Sequence, residues 1–215
     1  MDFIIIIISG LLALVLGISV HEFSHALSAD LLGDPTARYQ GRLTLNPMAH
    51  FDPIGGLMIL ISSLTGFGFG WGKPVPVNPA NLRFGPRIGM AITAGAGPFS
   101  NIVLATLFAA PLRLINTMPY AAFQVIYTVV SVNVALAVFN MLPLYPLDGF
   151  SVLRGVLATV RARWAYDLSA WLDSVASWGP MLFIALLALG QVIGRSIIWT
   201  VLGPVYKLLM RLILG

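Results

Sequence analysis

Residues 21–25 read His-Glu-Phe-Ser-His and hold two of the chain's three histidines together with its one glutamate. On a helix, His21 and His25 stand four positions apart on the same face, so both imidazoles can reach one divalent cation at about 2.0–2.1 Å. Glu22 points away from that line. Its place is beside the cation, where it takes a proton from an attacking water and passes it to a leaving amine. The spacing predicts zinc-assisted hydrolysis, with one Zn2+ per chain, His21 and His25 as ligands and Glu22 as general base. The competing use is a buried knot in which the three polar groups satisfy one another, but polar groups at membrane depth are costly and tend to serve function.

A catalytic zinc takes three protein ligands and keeps one position open, so a third ligand must come from elsewhere in the chain. Asp2 lies at the far end of the same apolar run, while Asp30 and Asp34 follow it and read as solvated or capping residues. Asp167 and Asp173 belong to a basic, aromatic stretch. His50 and Asp52 flank a glycine-rich segment, where Asp52 reads as a helix cap and His50 as a surface residue. Asp148 differs from all of these: it ends the uncharged run from Leu114 to Leu147, and Gly149 after it permits a tight turn. An unpaired aspartate there would be expensive, and a cation partner explains it. Capping a helix that begins near Phe150 is its other use.

The elements that must position these groups are membrane elements. The chain is 58% hydrophobic and 9% charged, against about a quarter charged in a soluble domain. Its net charge of +4 is scattered and forms no basic run, so nucleic acid is not an expected partner. The absence of cysteine excludes disulfides, thiolate ligands and a cysteine nucleophile. Residues 1–215 read as one mainly α-helical membrane domain, with a core over 1–155 and an interfacial segment and C-terminal helices over 156–215.

Four spanning helices are predicted, at 3–27, 86–112, 120–143 and 179–203, and a fifth if the tail from Pro204 also spans rather than lying on the surface. Arg195, inside the last of these, either snorkels outward or divides the region in two. Alternation over 38–45 predicts a short strand, and the prolines over 73–79 restrict any strand there to an edge or hairpin arm. Residues 53–72 are too interrupted by glycine to span and read as re-entrant. Gly66, Gly68, Gly70 and Gly72 suit either a gate or close backbone packing. Arginine and lysine collect in the loops on one side, which puts the N-terminus outside the cell membrane and the end of the first helix, with its histidines, toward the cytoplasm.

The HEFSH run, "GAGPFSN" on a later helix and "NMLPLYPLDG" after it, in this order and spacing, resemble the site-2 protease family of intramembrane zinc metalloproteases, in its compact form without PDZ or CBS modules. The likeness extends over most of residues 10–155 and includes "GWGKPVPVNP". It implies cleavage of a peptide bond within or near a substrate's transmembrane helix, with His21, His25 and Asp148 as zinc ligands and Glu22 activating water. It also implies that Asn101 and Asn140 bind substrate or support the transition state, and that the unwound substrate adds as a strand beside 38–45 and 73–79. The partners are then membrane-protein transmembrane segments and the bilayer. The rival readings are a catalytically silent binder of partner helices and a zinc transporter or sensor. The latter needs a polar path that the other spans lack.

Overall fold

The computed structural model describes residues 2–65, 72–115, 117–193 and 196–215. In a bilayer each backbone N–H and C=O must find its partner inside the protein, and an apolar run does so by winding into a helix. Helix α1 (Asp2–Leu31) is the longest, at 30 residues, about 45 Å. It ends where Gly33, at φ +103°, turns the chain into the left-handed region, with Gly33 N–H on the Asp30 carbonyl and Asp34 N–H on that of Ala29.

The short helices α2 (Thr36–Tyr39) and α3 (Pro47–His50) follow, then α4 (Pro53–Thr65). The 13 residues of α4 reach about 20 Å, short of the roughly 30 Å hydrocarbon core. That length suits an element that enters without crossing. Asp52 caps it, accepting from Gly55 N–H at 2.8 Å. Helices α5 (Pro86–Leu114) and α6 (Tyr120–Asn140) pack on each other and on α1, and α7 (Asp148–Thr159) packs on α5. Beyond them lie α8 (Arg163–Ala176), α9 (Gly179–Ile193) and α10 (Ile197–Leu214).

Four described helices are long and apolar enough to cross a membrane: α1, α5, α6 and α10. A fifth crossing results if α8 and the first twelve residues of α9, bent by 76°, count as one. The multi-pass character is as expected, but the last span is not at 179–203. Helix α9 ends at Ile193, and a new helix starts after Ser196, whose hydroxyl accepts from Trp199 N–H at 3.2 Å. Arg195 lies outside the described residues. The tail from Pro204 continues α10, and its Met210 and Ile213 join Ala105, Val130 and Val134 in the main core. It is a packed helix, not a surface one.

No strand forms among the described residues. The alternation over 38–45 begins instead with the helical turn α2, because Asp34 draws the backbone and hydroxyl of Thr36 onto its Oδ1. Residues 73–78 run without helix or ladder. Of the four glycines offered as a gate, 66, 68 and 70 lie outside the described residues. His50 is buried, not at the surface, with Nε2 on the Thr44 carbonyl at 2.7 Å.

Asp34 is fully buried and ties the end of α1 to the segment after 73. It accepts from Thr36 N–H and Oγ1, from Asn81 Nδ2 at 3.0 Å and from Asn78 N–H at 2.6 Å. Burial alone would raise its pKa, but these donors outweigh it and hold the carboxyl below the usual carboxylate range. A depressed folded pKa stabilises the fold above the ordinary value of about 4 and loses that contribution as pH falls through the folded value. Asp34→Asn should therefore cost about 1–3 kcal/mol at pH 7. Thermal melts of both proteins in detergent should converge below about pH 4, and a constant gap down to pH 2 would contradict the network.

Candidate metal centre

His21 and His25 lie on one face of α1, with ring centroids 4.5 Å apart and planes at 89°. Each is oriented from behind by α5, whose Thr93, Gly97 and Asn101 fall at four-residue intervals along the buried face toward α1. His25 Nδ1 donates to the Thr93 carbonyl at 2.7 Å. Pro98 lacks the amide that would serve the Ala94 carbonyl, which loosens the α5 ladder next to that acceptor. His21 Nδ1 donates to Asn101 Oδ1 at 2.6 Å. Asn101 is itself held by Nδ2 bonds to the Gly17 carbonyl at 3.1 Å and to Asn133 Oδ1 at 2.8 Å, and Asn133 Nδ2 anchors on the Val129 carbonyl at 2.8 Å.

With both Nδ1 atoms donating, both neutral rings turn an Nε2 lone pair toward a common point. The third group at that point is Asp148, in the first turn of α7. Its Oδ2 is 3.1 Å from His21 Nε2 and 3.4 Å from His25 Nε2, and it has no hydrogen-bond partner although buried. Two donors at 2.0–2.1 Å from one tetrahedral centre stand about 3.3 Å apart, so the separations fit a shared zinc. A proton cannot do the same work. One protonated imidazole would satisfy Asp148 but leave the other Nε2, an acceptor, facing an acceptor. Three electron-pair donors within 4.8 Å of one another are balanced by a divalent cation, and the imidazole and carboxylate set suits Zn2+.

Asp148 makes no side-chain cap of α7, the alternative use of that residue. Asp30 pairs with Arg38, Asp173 with Arg87 and Arg154, and Asp167 with Arg163. None of these belongs to the cluster. Glu22 is not a member of the ligand trio: its Oε2 accepts from Val75 N–H at 3.2 Å. Asn140, the last residue of α6, gives one amide hydrogen to the Leu136 carbonyl at 3.0 Å. Asn101 is 0% exposed and its amide is committed to His21, Gly17 and Asn133, which places it behind the His21 ring with both amide hydrogens used.

Asn133 and the Thr93 carbonyl were not singled out by sequence reasoning. One signal for Asn133 was available: it precedes Asn140 by seven residues, two turns along one face of α6. Replacing Asn101 by Leu should lower zinc affinity about 10- to 100-fold while helix content is kept. Competition with a zinc chelator measures this, and unchanged affinity would show that His21 is oriented without it.

Beside Glu22 opens an apolar cavity of about 560 Å³ between α1 and α3–α4, with Leu14, Ile18, Met48, Phe51 and Gly72 in its wall. A Cβ built on Gly72 would lie 3.8 Å from Glu22 Oε1.

Residues 113–169, which include Asp148 and Asn140, match the model of peptidase family M50. "Putative zinc metalloprotease YwhC" of Bacillus subtilis (strain 168) is 32% identical over 201 residues, covering 89% of this chain and 84% of its own. "Putative zinc metalloprotease Rip2" of Mycolicibacterium smegmatis is 32% identical over 190 residues, 86% of this chain and 67% of its own. The Rip2 protein of Mycobacterium tuberculosis (strain H37Rv) is 32% identical over 161 residues, 70% and 56% respectively. No solved structure matches the chain.

Proposed function

This chain belongs to peptidase family M50 and is a zinc metallopeptidase with several membrane-crossing helices; from that premise we propose that it is an intramembrane endopeptidase, hydrolysing a peptide bond within or near the transmembrane helix of membrane-protein substrates. The observation that carries the reading is the convergence of His21, His25 and Asp148 from two helices onto one point inside an apolar bundle. A hydrolytic centre sited there can only meet substrates that are themselves in the membrane.

His21, His25 and Asp148 hold the zinc, one per chain. Zinc bound there would polarise the scissile carbonyl and supply a nucleophilic water at neutral pH. Glu22 takes the proton from that water and returns it to the leaving amine. Asn101 and Asn133 keep His21 in the tautomer that leaves Nε2 bare, and Thr93 does so for His25. Asn140 keeps one amide hydrogen beyond its bond to Leu136, and we assign it to the substrate backbone or the developing oxyanion. Asn101 supports the transition state through His21 only.

A helical peptide bond is shielded by its own hydrogen bonds, so the substrate must unwind near the cut. The extended segment 73–78 beside Glu22 is where an unwound chain would lie, and the neighbouring apolar cavity suits its side chains. The excess of basic residues in the loops on one side supports an N-terminus outside and a site toward the cytoplasmic face.

The test is incubation of the zinc-loaded chain in nanodiscs with a model transmembrane peptide carrying a helix-breaking Asn-Pro or Gly pair, with products read by mass spectrometry. One cut next to the breaker is expected, abolished by a chelator and restored by Zn2+. Zinc uptake with no cut in any such peptide would favour a silent helix-binding protein.

A further inference from the structure

Residues Lys73 to Asn78 read Lys-Pro-Val-Pro-Val-Asn and cross beside Glu22 as an extended strap. Pro74 and Pro76 have no N–H, so between 73 and 77 the strap offers only the donors of Lys73, Val75 and Val77. Lys73 N–H goes to the His50 carbonyl at 2.8 Å, and Val75 N–H to Glu22 Oε2 at 3.2 Å. Asn78 N–H ties the far end to Asp34.

The near end is held by Arg42. This guanidinium is buried at 6% exposure and makes no ion pair among the described residues. Burying a lone cation is expensive unless strong acceptors compensate it. Its Nη2 donates to the carbonyls of Lys73 and, at 3.4 Å, of Pro74. The Pro74 carbonyl belongs to the same rigid peptide plane as the Val75 N–H, and in a trans unit the two point in opposite directions. A cation gripping the oxygen therefore fixes where the hydrogen aims, and polarises the N–H as a donor.

We propose that Arg42 is a positioning residue for proteolysis, which by holding the Pro74 carbonyl aims Val75 N–H at Glu22 and so keeps that carboxylate oriented to accept a proton. The inference rests on Glu22 being the general base. Arg42 touches neither the ligand trio nor Glu22; it acts through one peptide plane.

The experiment compares wild type, Arg42→Ala and Val75→Pro as full chains in nanodiscs, reading zinc content, kcat, KM and hydrogen exchange over 72–78. Each variant should lose about 10- to 100-fold in kcat, the worth of one hydrogen bond to a charged group, with KM changed less than about twofold and zinc retained. Exchange at Val75 should rise in Arg42→Ala. Guanidinium in the buffer should restore part of the activity of Arg42→Ala and none of that of Val75→Pro.

Wild-type kcat in Arg42→Ala would overturn the proposal, as would zinc loss in step with activity, which would make Arg42 a support of the fold alone. If Arg42→Ala does not fold, Val75→Pro decides: full kcat there overturns the proposal. If the wild type cuts nothing, the proteolytic reading fails separately. Exchange then decides the contact, since Val75 must lose protection in Glu22→Ala and in Arg42→Ala if the strap is held as described.

Discussion

Glu22→Gln should lower cleavage by about 10²- to 10⁴-fold, the range for losing a positioned general base, while zinc stays at one per chain. The two halves of this result have separate causes. Zinc should be retained because Glu22 is outside the proposed ligand trio, the His21, His25 and Asp148 cluster. With Glu22 as the proposed base, activity should be lost because glutamine keeps the size of the side chain and an oxygen to accept from Val75 N–H, but cannot take a proton. The strap and the metal centre should therefore be intact in the variant, and the missing function is proton transfer itself. Asp148→Asn is the counterpart. It removes a carboxylate, the proposed third ligand, whose Oδ2 stands 3.1 and 3.4 Å from the two Nε2 atoms, so metal and activity should fall together. Metal analysis and a cleavage assay on the two variants separate base from ligand. If Glu22→Gln cuts at the wild-type rate, the glutamate is not the base. If it loses zinc, it belongs to the ligand set.

Much of this centre is legible in the sequence because its parts are rare there. His21 and His25 announce themselves by four-residue spacing. Asp148 does so by being the first charge after a long apolar run, where a bare carboxylate has no reason to sit. What the sequence does not convey is which neighbour a polar side chain turns to. Asn101 carries the residue type expected of a substrate contact, yet the rotation of α5 against α1 points its amide at His21, and Asn133 from α6 takes up the remaining hydrogen. Asn133 has no motif around it; its place two turns before Asn140 and the demand that a buried amide find partners inside an apolar bundle are what mark it.

Element boundaries fail for a similar reason. Hydropathy alone makes 179–203 a single span, but one serine hydroxyl at 196 starts a new helix. Alternation makes 38–45 a strand, but Asp34 turns 36–39 into a helical turn. In both places a local side-chain bond to the backbone overrides the pattern around it.

Gly97→Ala should strip the centre of metal without unfolding the protein. A Cβ built at Gly97 falls 2.5 Å from His25 Nε2, 2.6 Å from His25 Cε1 and 2.7 Å from His21 Cε1, where ordinary contact begins near 3.5 Å. The methyl would occupy the approach to both imidazoles, and α5 would have to retreat from α1 by about 1 Å, when ligand distances tolerate only about ±0.2 Å. Retreat would also pull the Thr93 carbonyl and Asn101 Oδ1, four residues to either side, off the two Nδ1 atoms. Zinc affinity should drop by at least about 100-fold, the upper end for disturbing the groups behind a ligand, and cleavage should vanish with it. Helix content should hold, because alanine is the better helix former by about 1 kcal/mol. Gly95→Ala is the control on the same helix: its added Cβ would meet only Val152 Cγ2, at an ordinary 3.8 Å, so zinc binding and cleavage should stay near wild type. Zinc titration and circular dichroism on the pair decide the matter. Full metal loading in Gly97→Ala would mean that the imidazoles do not converge beneath this glycine, and the three-ligand centre would fall with that result.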